Sequence, residues 1–152
     1  MSLQARNVAA IRAYFDCFNR HDIAAAVACF HEHAINHGKN RGRAGMALVH
    51  GDIFRRFPDV RMDILETVAA GDDVIVRTTY SGTHLGVGQL PIDGGQLVGV
   101  PPTGKHFSVQ HIHWFTLKDG LIAEHRANRD DVGMLVQLGI LPMPPPFPGS
   151  GN

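Results

Sequence analysis

The residues of this chain best suited to chemistry gather in one stretch, GKHFSVQHIHWFTLKDGLIAEHRANRDDVGMLVQLG, over residues 104–139. His111 and His113 alternate with Ser108, Gln110, Ile112, Trp114 and Thr116, so they share a face with Phe107, Val109, Phe115 and Leu117. His125 follows after a turn. Imidazoles on an apolar face can take and give protons near neutral pH, because small environmental shifts move their ordinary pKa of about 6.5. Two other readings stay open: three imidazoles also resemble a metal-ligand set, and they can simply satisfy one another in a polar patch.

Register decides whether the three meet. With Lys118-Asp119-Gly120 as a three-residue loop, Leu117 faces Leu121, His113 faces His125 and His111 faces Ala127. A two-residue loop would instead set His113 against Arg126 and scatter the cluster. The longer loop is expected, since Leu117 and Leu121 then point the same way. No acidic residue lies on this strand face, although Glu66 or another strand could supply one.

The elements that must position this face are legible in order. Val8, Ile11, Tyr14, Phe15 and Phe18 recur at helical spacing and predict a helix over about 3–20. Asp22 can cap a second, short helix, in which Ile23, Val27 and Phe30 share a face. Residues 31–38 read as a short strand and turn. Met46, Val49, Ile53 and Phe57 define a third helix that Pro58 ends. Val60, Met62, Ile64, Glu66 and Val68 then alternate, Gly71-Asp72-Asp73 turns the chain, and residues 74–84 return as the second strand of a hairpin. The Gly- and Pro-rich segment 85–104 is longer than an ordinary connection and reads as a lid, an interface element or a surface excursion. A last helix begins near Asp130 or Asp131, buries Val132, Leu135 and Val136, and stops at Gly139. Residues 1–140 thus form one domain, and 141–152 a Pro/Gly-rich tail without helix or inner strand. Three helices followed by a strongly bent antiparallel sheet give an α+β cone, with a pocket between the concave face and the helices.

Composition narrows the partner. Fourteen basic and fourteen acidic residues cancel among 152, and neither sign forms a long run, which speaks against nucleic acid and membrane surfaces and for a small, weakly charged ligand, which the apolar pocket makes a hydrophobic small molecule. No apolar stretch reaches signal-peptide or membrane-span length, so a cytoplasmic protein is expected. Cys17 and Cys29 make no metal or redox spacing and read as reduced core residues. His31, His33 and His37 should be mostly exposed, with Asn36 and His37 able to reach the pocket mouth. His21, His50 and His106 lie near element ends, where exposure is the default. Arg77 reads as a buried partner for a carboxylate, and Glu124 as a salt-bridge residue facing away from the histidines. No phosphate loop or nucleophile elbow is present.

The segments FPDVRMDI at 57–64, VAAGDDVIVRTTYSGTHLG at 68–86, PPTGK at 101–105 and LKDGLIAEHRANRDDVGMLVQLG at 117–139 resemble the SnoaL-like polyketide cyclase family, within the NTF2-like superfamily. The resemblance implies an NTF2-like cone with three N-terminal helices enclosing a pocket. It also implies a homodimer or higher oligomer through the outer sheet face, and no cofactor. Its cyclases close a ring by intramolecular aldol condensation, using a pocket carboxylate as acid and base. That carboxylate ends a Glu-His-Trp-Asp pattern, and the matching residues are Glu124, His125, Arg126 and Ala127. His113 matches the family's strand histidine. Without that carboxylate, either His111 or His113 takes over proton transfer or the aldol chemistry is gone; the residues expected to be catalytic are His113, His111 and His125, with Asn36, His37, Phe115 and Ala127 against substrate. A binding protein without catalysis is the alternative that Ala127 motivates, and a histidine-ligated metal enzyme is the second.

Overall fold

The computed structural model describes residues 1–92 and 95–149; residues 93–94 of the expected loop and 150–152 of the expected tail lie outside the described residues. The helices come first: α1 (Leu3–Asn19), α2 (Ile23–Ala28) and, after strands β1 (Phe30–Asn36) and β2 (Lys39–Asn40), α3 (Gly42–Arg56). Ser2 caps α1 by accepting from the Ala5 amide, and Asp22 caps α2 through Ala25. Ile11, Tyr14, Phe15 and Phe18 form the buried stripe of α1. Phe57 leaves the helical region at ψ 82 ahead of Pro58, which ends α3 where the proline demands it.

The strands β3 (Arg61–Ala70), β4 (Asp73–Thr83), β5 (His106–Lys118) and β6 (Leu121–Arg129) continue the sheet, and α4 (Asp131–Gln137) closes the chain. The order across the sheet is β2-β1-β6-β5-β4-β3, antiparallel except where β1 runs parallel to β6. The helices cover the concave face, and the core lies between, built around Phe15, Phe18, Phe30, Phe57, Phe107 and Phe115, each at most 2% exposed.

A β-bulge on β3 and another on β6 bend the sheet and change which side chains point inward. On β3, Ile64 pairs with Thr78 and Glu66 with Arg77, leaving Leu65 as the extra residue. The expected alternation of Val60, Met62, Ile64, Glu66 and Val68 therefore breaks after Ile64. Glu66 and Val68 face outward, and the Arg77–Glu66 ion pair at 2.9 Å sits on the outer surface rather than buried. Glu66 thus supplies no carboxylate to the concave face.

On β6 the expected register is corrected twice. The turn has two residues, Asp119 (φ 51) and Gly120 (φ 78), the paired positive φ of a type I′ hairpin, so Lys118 faces Leu121. Ala123 then bulges between the pairs Leu117–Ile122 and Thr116–Glu124. The turn inverts the face and the bulge inverts it back. In consequence Phe115 faces His125, His113 faces Ala127, and His111 faces Arg129 rather than Ala127.

The last helix follows its expected bounds, and Leu135 packs partly buried against the core as expected. Met134 and Leu138 go deepest, whereas Val132 is exposed. Gly139 (φ 75) ends it in a Schellman arrangement, its amide donating to Val136 and that of Ile140 to Leu135. Cys17 and Cys29 are free and half-buried.

Candidate active site

On the concave face, three side chains from three strands form a line of hydrogen bonds. Asn36 ends β1 opposite His125, and the following turn, His37 (φ 49) and Gly38 (φ 75), lets the His37 amide donate to the His125 carbonyl at 2.9 Å. Asn36 Oδ1 lies 2.7 Å from His125 Nδ1, and His125 Nε2 lies 2.9 Å from His113 Nδ1. With the amide oxygen facing the ring, Nδ1 of His125 carries the proton and donates. Its Nε2 must then accept from His113 Nδ1–H. His113 Nε2 is left as a bare lone pair, buried and without a hydrogen-bond partner.

Electrostatics keep this line uncharged. Burial pushes His113 down to about 3 and His111 down to about 4, with the Arg129 cation adding to both. His125 keeps some surface toward the cavity but is also driven well below the ordinary histidine value, first by burial and then by His113, His37, His50 and Arg129. Each ring is therefore a neutral imidazole at pH 7, one nitrogen donor and the other acceptor. Phe115, expected against substrate, instead packs behind the rings, fully buried, with its ring 4.8 Å from that of His125.

The rings line a cavity of about 60 Å³ together with Tyr14, Phe18, Asn36, His37, His50, Tyr80, Ala127 and Arg129. His50, expected to be exposed, is 1% exposed on the inner face of α3. Its Nε2 lies 2.9 Å from the hydroxyl of Tyr14, which burial holds above its usual pKa while His50 is pushed down to about 4. The sequence carried a sign of this pairing: Met46, His50 and Ile53 follow helical spacing, which puts His50 on the buried stripe. Arg129 is a second lining residue that sequence reasoning passed over. It reaches inward opposite His111, binds Asp131 at 3.2 Å, and approaches His37 Nε2 at 3.5 Å. Its place follows from the bulge at Ala123, which has no sequence signature of its own.

The nitrogens of His113 and His125 are turned toward one another, not toward a common point. Among the described residues, no group of three or more His, Cys, Asp or Glu is disposed to hold a metal ion. His31 and His33 lie toward the outside, as expected, and Glu124 pairs with Arg126 at 3.4 Å on the far face. No helix among the described residues is long and apolar enough to cross a membrane.

The 85–104 segment is fastened to α3. The Asp52 carboxylate, buried, accepts from Arg56 Nε at 2.7 Å and from the Gln89 amide at 2.9 Å, while Arg56 Nη2 donates to the Leu90 carbonyl. Gly88 approaches the Arg56 guanidinium so closely that a Cβ there would collide with Nε. The segment thereby places Pro91 and Ile92 at the entrance of the cavity, in the wall of a wider outer chamber.

Comparison with known proteins agrees with this architecture. The family profile of SnoaL-like polyketide cyclases matches residues 8–138. Nogalonic acid methyl ester cyclase of Streptomyces nogalater is 30% identical over 106 residues, 69% of this chain and 72% of the relative. Among solved structures, IdmH of Streptomyces antibioticus, a candidate polyketide cyclase, superposes with a TM-score of 0.71 at 28% identity over 88% of this chain and 98% of its own. AclR of Streptomyces galilaeus, a candidate hydroxylase, superposes with a TM-score of 0.76 at 25% identity over 93% of this chain and 86% of its own.

Proposed function

The chain belongs to the SnoaL-like polyketide cyclase family, and on that premise we propose that it closes a ring in a hydrophobic polycarbonyl compound by histidine-mediated proton transfer. The observation that carries this reading is the line Asn36–His125–His113, which ends on the unpartnered, buried Nε2 of His113.

The reaction is an isomerisation in which protons balance. His113 Nε2 takes a proton from the carbon between two carbonyl groups, leaving an enolate and an imidazolium. The enolate carbon attacks a ketone of the same molecule, a carbon–carbon bond forms, and the new alkoxide recovers the proton from His113. A pKa near 3 is that of an imidazolium alone in an apolar pocket. Beside an enolate the imidazolium is one half of an ion pair, so the burial that penalises it alone strengthens it there. His125 accepts from His113 Nδ1–H and shares the charge, and Asn36 fixes the His125 tautomer. In this reading the Tyr14 hydroxyl and Arg129, both lining the cavity, hold the developing oxyanion.

No carboxylate lines the cavity among the described residues. Where the family pattern ends in Asp, this chain has Ala127, the cross-strand partner of His113. In this reading the imidazoles carry the proton that a carboxylate carries in related cyclases, without a cofactor. Exposed Ile112 and Trp114 on the outer sheet face support a homodimer through that face.

The test is turnover. Incubation with nogalonic acid methyl ester, the compound named for the relative, should yield a cyclised isomer, and His113→Ala should lower its rate by about 10²–10⁴-fold, the range of acid–base contributions. Full activity in a His111→Ala/His113→Ala/His125→Ala variant would remove the proposal. Ala127 also favours a second reading, a binding protein without catalysis. Tight binding of a polycarbonyl ligand, recovered unchanged, would establish it instead.

A further inference from the structure

Cys17 and Cys29 stand in no redox spacing in the sequence, yet the fold brings their side chains together. His21, at φ 56, ends α1 in a left-handed turn, with its own amide donating to the Phe18 carbonyl and that of Asp22 to the Cys17 carbonyl at 3.1 Å. The chain therefore folds α2 back against α1. Cys17 lies in the last turn of α1, Cys29 follows the last residue of α2, and their thiols are hydrogen-bonded to one another. Both pack half-buried at the edge of the core, within reach of a small molecule. Neither lines the histidine cavity, and ring closure uses neither.

The two sulfurs have different surroundings. Arg20 Nη2 donates to Cys17 Sγ at 3.4 Å, and a guanidinium beside a sulfur favours the thiolate, the form that attacks. Cys29 Sγ donates to the Ala25 carbonyl at 3.5 Å, and burial, followed by the neighbouring Cys17, raises its pKa. One thiol is thus set to react first, with the other held protonated beside it.

We propose that Cys17 and Cys29 are an oxidisable pair, in which Cys17 reacts with a small peroxide and Cys29 then closes a disulfide to it within the same chain. In the first step the Cys17 thiolate attacks a peroxide oxygen and the O–O bond breaks. With one proton taken up, the products are a sulfenic acid and, from hydrogen peroxide, water. In the second step the Cys29 sulfur attacks the Cys17 sulfur, the S–O bond breaks, and the hydroxyl leaves with the Cys29 proton as a second water. The peroxide is reduced and the two thiols are oxidised, so no further reactant is needed. The new bond fastens α1 to the start of β1, next to Phe30, whose ring packs on that of Tyr14 at 5.1 Å. The pair acts whether or not the histidine cavity turns over a substrate.

The test is oxidation of the folded, reduced, full chain with hydrogen peroxide, followed by unfolding in urea with iodoacetamide and mass spectrometry. The wild type should lose the mass of two hydrogen atoms, take up no alkyl group, and yield peptides joined through Cys17 and Cys29. Its melting temperature should rise by about 5 °C, because the bond restricts the unfolded chain over residues 18–28, and should return on reduction. Cys29→Ser should stop at a Cys17 sulfenic acid that dimedone traps, whereas Cys17→Ser should react many-fold more slowly. Arg20→Gln, altered at an exposed position, should slow bond formation several-fold and leave the final product unchanged. Two alkylated thiols after oxidation, a bond between chains instead of within one, or a lower melting temperature in the oxidised form would each overturn the pair. An unchanged rate in Arg20→Gln would overturn the assignment of Cys17 as the thiol that attacks first.

Discussion

His113 and His125 are joined Nδ1 to Nε2 at 2.9 Å although they are not cross-strand partners: His113 faces Ala127, and His125 faces Phe115. The contact is diagonal, two residues along the ladder, and spans that distance because imidazoles are long enough to reach a diagonal neighbour. It exists because an inversion by the two-residue turn is cancelled by the bulge at Ala123. Facing the cavity is therefore a property of the turn and the bulge together.

Taking out the extra residue should spare the site, and adding another should undo it. Deletion of Ala123 sets Ile122 and Glu124 side by side opposite Leu117 and Thr116, so the pairs Phe115–His125 and His113–Ala127, and with them the histidine line, are retained. Inserting one alanine between Glu124 and His125 instead shifts the rest of β6 by one, sets His113 against Arg126 and turns His125 to the outer face. We expect a folded protein from the deletion and a poorly folded or inactive one from the insertion. Circular dichroism and the histidine ring signals in NMR read both outcomes. Loss of the native ring signals in the deletion, or their survival in the insertion, would refute the register account.

Restoring a carboxylate should reset the histidine. Ala127→Asp places an anion beside His113, which favours the imidazolium and should raise its pKa from about 3 toward neutrality. NMR titration of the ring protons measures the shift directly. A His113 titration unchanged by Ala127→Asp would mean that position 127 does not face the ring.

Stability should fall as pH drops below neutrality. His50, His111 and His113 have native pKa values pushed down to about 4, 4 and 3, whereas in the unfolded chain each returns to about 6.5. Between these limits the unfolded chain binds protons that the native protein does not, so stability is intact above about pH 6.5 and declines through the interval below it. Each fully buried imidazole contributes up to about 1.4 kcal/mol per pH unit. Urea unfolding at pH 7, 6 and 5 should show the decline, accompanied by uptake of more than one proton on unfolding at pH 5. Flat stability across this range would contradict the buried, neutral assignment.

The clamp on the 85–104 segment should be costly to break. Arg56→Ala leaves the buried Asp52 carboxylate without its closest buried cation and frees the Leu90 carbonyl, a loss of about 3 kcal/mol by analogy with other broken buried pairs. Amide exchange should accelerate over residues 86–92 before it does in β5. Unchanged exchange in that segment would show that the clamp does not hold it.

Much of the site was written in the sequence. Period-two alternation put His111 and His113 on the apolar face of β5, because successive residues of a strand point to opposite sides, and helical spacing placed Tyr14 and Phe18 on the buried stripe of α1. Asp22 and Asp130 announced two helix starts, and Gly139 a helix end, since capping depends on one side chain or one φ angle. The α+β cone and the family followed from the ordered motifs.

What the sequence could not decide lay in the distant partners. A bulge is a choice between two nearly equivalent pairings, made by curvature and packing across the whole sheet, so neither Leu65 nor Ala123 marks itself. From those two residues follow the outward turn of Glu66, the inward reach of Arg129 and the opposition of His111 to Arg129. Burial of His50 depended on Tyr14 being 36 residues away in sequence yet within 2.9 Å in the fold. The kinds of side chain available for proton transfer were thus determined locally, by residue type and period. Which nitrogen is left bare, and where the Arg129 cation stands, were decided by tertiary structure, because hydrogen-bond direction and desolvation are set by neighbours that the chain brings together only on folding.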